Sequence, residues 1–168
     1  MPSLPDRPLK PKRSTYDRAL DLLEARARGV TELRRLLIQK GEPQPDVDDA
    51  IARLQRSGLL DDAVFARQFA RSKALAAGLS RRRLQQELTK RGVAREVSDA
   101  AIDEVFEEEG VDDSASIERV ARKRMKTLDK LDLSTQRRRL YAFLARRGYD
   151  SDDITRVTDA LLHPSSEE

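Results

Sequence analysis

Cysteine is absent from this 168-residue chain, which excludes a disulfide framework, a thiolate metal site and a cysteine nucleophile. Histidine occurs once, as His163 beside Pro164 in an acidic tail. That excludes histidine-based metal clusters and Ser-His-Asp machinery. Tryptophan is missing too, and four Phe with three Tyr make up only 4% of the chain. Apolar residues reach 38%, short of the usual globular share. Such a chain folds without filling a thick spherical core, so a thin or elongated body is expected. No apolar run approaches the roughly 18 residues of a membrane span, and the N-terminus lacks the apolar segment of a signal peptide. The expectation is a soluble, cytoplasmic protein that is not an enzyme, with no cofactor and no metal.

Proline is confined to the edges. Pro2, Pro5, Pro8 and Pro11 alternate with Arg7, Lys10, Lys12 and Arg13, and residues 1–14 read as a disordered basic arm. Pro43 and Pro45 share one short stretch, and none follows until Pro164. The long proline-free interval, rich in Ala, Leu, Arg and Glu, argues for helix throughout. No segment alternates in the manner of a strand. Gly29, Gly41, Gly58, Gly78, Gly92, Gly110 and Gly148 each follow an amphipathic run, where a left-handed C-cap stops a helix. Helices are therefore expected near 15–28, 32–40, 46–57, 61–77, 81–91, 95–109, 113–128, 134–147 and 151–162. Thr31, Ser80 and either Ser134 or Thr135 are the expected N-caps.

These helices repeat in threes. Leu33-x3-Leu37-x2-Lys40-Gly41 recurs as Leu84-x3-Leu88-x2-Arg91-Gly92 and as Leu140-x3-Leu144-x2-Arg147-Gly148. Thirteen residues past each glycine stand Leu54, Val105 and Leu161, and five or six past stand Val47, Val97 and Ile154. The first helix of each unit carries its own apolar stripe: Tyr16, Leu20, Leu23 and Ala27; Phe65 and Phe69; Ile117, Val120, Ala121, Met125 and Leu128. These stripes read as core. The fold expected is all-α: three tandem three-helix repeats over 15–60, 61–110 and 111–162, forming an elongated, curved array, with an acidic tail at 163–168.

The net charge of +3 hides two opposed patterns. The second helices carry Arg34, Arg35 and Lys40 against Glu32; Arg81, Arg82, Arg83, Lys90 and Arg91 against Glu87; and Arg137, Arg138, Arg139, Arg146 and Arg147 unopposed. The third helices are net acidic, most of all the middle one, where seven acids from Glu96 to Glu109 oppose Arg95. The two arginine triplets lie in the first turn of their helices, where the macrodipole disfavours cations by about 0.3–1 kcal/mol each. They read equally as a functional face and as a solvated surface facing the acidic helices of a neighbouring unit. Three-helix units also suggest helix-turn-helix DNA binding, but acidic third helices would be repelled by a phosphate-lined major groove. Asp61 and Asp62 read as helix N-terminal charges, not as a metal or acid-base pair.

Between the first two units stands Leu59-Leu60-Asp61-Asp62-Ala63-Val64-Phe65-Ala66-Arg67. This resembles the signature of the RecX family, bacterial regulators of the RecA recombinase, with Leu60, Asp61, Asp62, Phe65 and Ala66 as the matching residues. Leu59 stands where family members often have Tyr. The stretches Gly78-Leu79-Ser80 and Leu84-x2-Glu87-Leu88-x2-Arg91-Gly92-Val93 resemble the family's central repeat, and the likeness extends over 16–162. The resemblance implies a non-enzymatic modulator that lies along the groove or at the end of the RecA filament on single-stranded DNA, and the solvated outer faces make a monomer the expected state. It would lower ATPase and strand-exchange activity in the regulation of repair and recombination and in the SOS response. The arginines Arg81, Arg82, Arg83, Arg91, Arg137, Arg138, Arg139, Arg146 and Arg147, with Lys90, would then face RecA or the DNA. Two rivals stay open: a module that binds nucleic-acid phosphates directly, and a general helical scaffold for another protein.

Overall fold

The computed structural model describes residues 13–163. Among them are nine α-helices and no strand: α1 (Thr15–Ala25), α2 (Val30–Gln39), α3 (Gln44–Arg56), α4 (Asp62–Ala77), α5 (Arg81–Lys90), α6 (Arg95–Glu108), α7 (Asp113–Met125), α8 (Leu133–Arg146) and α9 (Ser151–Leu162). The proline-rich arm, up to residue 12, and the tail from residue 164 lie outside the described residues. The described chain divides into two compact units, one ending at Leu60 and one beginning at Asp61.

In the first unit α1, α2 and α3 enclose Ala19, Leu33, Leu37, Val47, Ile51, Leu54 and Leu60. Ser14 and Asp17 start α1 with a capping box: the Ser14 hydroxyl accepts from the Asp17 N–H at 3.1 Å, and the Asp17 carboxylate accepts from the Ser14 N–H at 3.2 Å. Pro45 fits within the first turn of α3, where a missing N–H costs no helical bond. Three expectations fail in this unit. Gly29 stops no helix; α1 ends at Ala25, and Gly29, at φ −80°, is instead the N-cap of α2. Thr31 therefore lies inside α2, and Ala27 is exposed between helices instead of joining the stripe.

The second unit holds two three-helix cores. Helices α4–α6 enclose Phe65, Ala66, Leu84, Leu88, Ile102, Val105 and Phe106. Helices α7–α9 enclose Ile117, Ala121, Leu140, Leu144, Tyr149 and Ile154, with Leu128 reaching the same core from beyond the end of α7. The six leucines of the repeated pattern, two from each second helix, are fully buried. Truncating any one to Ala would cost about 2–5 kcal/mol. Ser80 caps α5 as expected, accepting from the Arg83 N–H at 3.3 Å. Neither Ser134 nor Thr135 caps α8; Asp132 does, accepting from the Thr135 N–H at 2.9 Å. A carboxylate competes better than a hydroxyl for the positive end of the helix.

Within this unit the α4–α5 loop docks against the α8–α9 turn. The Ser80 N–H donates to the Arg147 carbonyl at 3.0 Å, and the Arg147 guanidinium donates to the Ala77 carbonyl at 2.9 Å. Tyr149 donates to the Gly78 carbonyl at 3.0 Å. The approach is too close for side chains at two positions. A Cβ on Gly78 would strike Val120, and one on Gly148 would stand 2.6 Å from the Arg83 Cβ and 2.7 Å from the Ser80 hydroxyl. Both glycines also hold positive φ, +62° and +87°.

Candidate functional site

The basic second helices and acidic third helices meet inside each repeat. Arg34 of α2 pairs with Asp48 of α3, Arg81 of α5 with Asp103 of α6, and Arg137 of α8 with Asp159 of α9 at 2.5 Å. Much of the charge sorting is thus an arrangement of cross-helix pairs within single units, not between neighbouring ones. It also explains how cations sit in the first turn of α5, where Arg81 has the Asp103 carboxylate to offset the dipole. The second triplet departs from expectation: α8 begins at Leu133, so Arg137, Arg138 and Arg139 lie beyond its first turn. Exposed pairs of this kind contribute little stability, about 0.2–1 kcal/mol.

On α5 all five cations have partners in the structure. Arg81 also lies over the Phe106 ring, 4.2 Å from its centroid. Arg82 donates to the Gly148 carbonyl at 3.1 Å and to the Tyr149 carbonyl at 3.4 Å, which fastens α5 to the third repeat. Arg83, Lys90 and Arg91 converge on Glu87 at 2.9, 3.7 and 2.8 Å. The Arg91 hydrogen bond, followed by the Arg83 charge, holds the Glu87 carboxyl below its ordinary range. Arg91 covers the Phe69 ring as well.

On α8 the arginines divide differently. Arg147 is half-buried, lies 3.6 Å from the Phe143 centroid and spends its guanidinium on the Ala77 carbonyl. Burial lowers its pKa, and the charges of Arg146 and Arg124 lower it further. Arg138, Arg139 and Arg146 are exposed and have no carboxylate partner among the described residues. Of the ten cations singled out in the sequence, these three are the ones the structure leaves presented outward without an internal role.

The signature residues are placed by folding. Leu60 closes the core of the first unit, and Asp61 accepts from the Ala63 and Val64 N–H groups at 2.7 and 3.1 Å as the N-cap of α4. Asp62 stands in the first turn, and Phe65 and Ala66 enter the α4–α6 core. Sequence reasoning weighed the second and third helices and passed over a cationic run on α7: Arg119, Arg122, Lys123 and Arg124. Its position in the closing turns of a helix, where cations are favoured, made it look ordinary. Among the described residues no group of three or more His, Asp or Glu is placed to hold a metal, and no helix is long and apolar enough to cross a membrane.

Comparison with known proteins places patterns on each of these three-helix units. The pattern described as RecX, first three-helix domain, matches residues 16–54; the second matches 61–102 and the third 112–158. The regulatory protein RecX of Amycolatopsis mediterranei is 40% identical over 129 residues, covering 77% of this chain and 72% of the relative. That of Pelodictyon phaeoclathratiforme is 31% identical over 150 residues, covering 89% and 90%. A crystal structure of RecX from Lactobacillus salivarius superposes with a TM-score of 0.66 at 16% identity, covering 88% of this chain and 94% of that one. A second crystal structure, of a regulatory protein RecX, gives 0.69 at 19% identity over 86% and 71%. At such identities the two structures speak for the fold alone.

Proposed function

This chain belongs to the RecX family, and we propose that it is a non-enzymatic regulator of the RecA recombinase, working in the cytoplasm on DNA repair and recombination. It binds along the groove or at the end of the RecA filament on single-stranded DNA and lowers ATPase and strand-exchange activity. The observation that supports a contact surface is the set of α8 cations, Arg138, Arg139 and Arg146, exposed and without a carboxylate partner. The α5 cations are already engaged within the fold, whereas these α8 cations can meet a partner without breaking an internal pair. Arg82 and Arg147 support the same reading indirectly, by fixing the second and third repeats against each other.

The test is the DNA-dependent ATPase of RecA titrated with the full chain, beside an Arg138→Ala/Arg139→Ala variant. The wild type inhibits, and the variant needs several-fold more protein for the same inhibition. Inhibition far below the RecA concentration marks end capping; inhibition near equivalence marks coating of the groove. A wild type without effect on the ATPase, or a variant that inhibits equally, overturns the assignment.

A further inference from the structure

A cleft of about 250 Å³ opens in the second unit where the end of α4 faces α7 and α8. Its charged lining is wholly cationic: Arg119, Lys123 and Arg124 from α7 and Arg147 from α8. None of the four has a carboxylate partner among the described residues. The Arg124 Nε is buried without a hydrogen-bond acceptor, although its guanidinium lies 5.1 Å from the Phe143 centroid. Four cations held together with no acid carry a repulsion that an anion would relieve.

We propose that this cleft binds the phosphodiester backbone of a single nucleic-acid strand. Carbonyls at a helix C-terminus would normally repel an anion. Here the Ala77 carbonyl is taken by Arg147 and the Gly78 carbonyl by Tyr149, so that end of α4 is already neutralised. Arg119 and Lys123 stand one turn apart on α7, about 6 Å along the axis, a ladder suited to successive anionic groups. Guanidiniums offer planar forks to phosphate oxygens, and a lysine adds a compact charge.

The alternative anion is an acidic peptide, and the cleft has little for one. Phe143, its aromatic ring, is already packed against Arg147 and Arg124, and the nearby carbonyls are engaged, so main-chain pairing and an aromatic anchor are both missing. A strand held by phosphates alone needs neither. The volume suits a phosphate and its sugar better than a rigid duplex. The occupant's origin, DNA emerging beside a recombinase filament, rests on the function proposed above; the chemistry of the cleft does not.

The test uses fluorescence anisotropy of a labelled oligothymidylate, with no recombinase present, at a series of salt concentrations. The full chain is compared with Arg119→Ala/Lys123→Ala, both of whose sites are exposed; Lys123→Glu alone serves as a second variant, and circular dichroism checks that each is folded. The wild type binds, and the double variant loses roughly tenfold in affinity. Its log K against log salt slope falls by about 1.4, or about 0.7 for each phosphate no longer neutralised. Absence of wild-type binding at low salt, or equal slopes and affinities, overturns the proposal. So does polyglutamate that competes as well as the oligonucleotide, which would reassign the cleft to acidic protein. A wild type that binds the strand yet leaves the RecA ATPase unchanged sinks the recombinase reading and spares the cleft.

Discussion

The Tyr149 phenol, 4% exposed, donates to the Gly78 carbonyl at 3.0 Å across 71 positions of sequence. That bond joins the turn of the third repeat to the α4–α5 loop of the second. Tyr149→Phe leaves the carbonyl without its donor, and an unsatisfied buried polar group costs about 1–3 kcal/mol. Burial, and then the charge of Asp113, pushes the phenol up to about 12 from its ordinary 10.0. The folded state thus disfavours the phenolate. Its stabilising contribution is complete below about pH 10 and is lost as pH rises toward 12. Urea unfolding at rising alkaline pH should show the wild type losing its advantage over Tyr149→Phe. A constant difference between the two would rule out this linkage.

The two glycines Gly58 and Gly148 separate backbone strain from collision. Both have positive φ, but a Cβ at Gly58 would meet nothing within 4 Å, whereas one at Gly148 meets Arg83 and Ser80. Gly58→Ala should therefore cost only the left-handed conformation, about 1–2 kcal/mol. Gly148→Ala adds a steric cost at the docking of the two repeats and should be clearly worse. Equal losses in denaturant melts would mean that the close approach relaxes freely.

Arginines of the same sequence pattern should behave in opposite ways. Arg82→Ala removes two donors from the Gly148 and Tyr149 carbonyls and should lower stability by about 1 kcal/mol. Arg138→Ala/Arg139→Ala touches no internal partner and should leave the melting temperature within error while weakening inhibition of RecA. Thermal melts beside the ATPase titration check both halves. A destabilised α8 variant, or an Arg82 variant as stable as wild type, would reverse the roles.

The repeated leucines made the core legible in the sequence, because burial of Leu33, Leu84 and Leu140 follows from a period that folding does not alter. The site was less legible. Arg82 and Arg138 sit in parallel triplets, and only the docking of the Tyr149 turn against α5 tells a fastening from a free cation. That docking is a contact between residues some seventy positions apart, which no local pattern encodes. Gly29 was misplaced for a related reason: a glycine between two helices fits the end of one or the start of the next, and at φ −80° it starts α2. Hydroxyl residues just after Leu133 likewise masked Asp132, two residues before the nearer expected cap, Ser134.

Asp132 gives a last and local test. Its carboxylate accepts from the Ser134 hydroxyl at 2.5 Å and from the Thr135 N–H at 2.9 Å. The hydroxyl first, and then that backbone N–H, hold its carboxyl far below the ordinary carboxylate range. A depressed folded pKa stabilises the protein above the unfolded value, about 4, and the contribution fades as pH falls through the acid range. Asp132→Ala should lower the melting temperature at neutral pH, Asp132→Asn should lower it less because an amide oxygen still caps, and the gap to wild type should close in acid. Ser134→Ala removes one partner of the carboxylate but leaves the backbone cap, so its effect should be the smallest of the three. If Ser134→Ala proved as damaging as Asp132→Ala, the hydroxyl and not the carboxylate would be holding the start of α8.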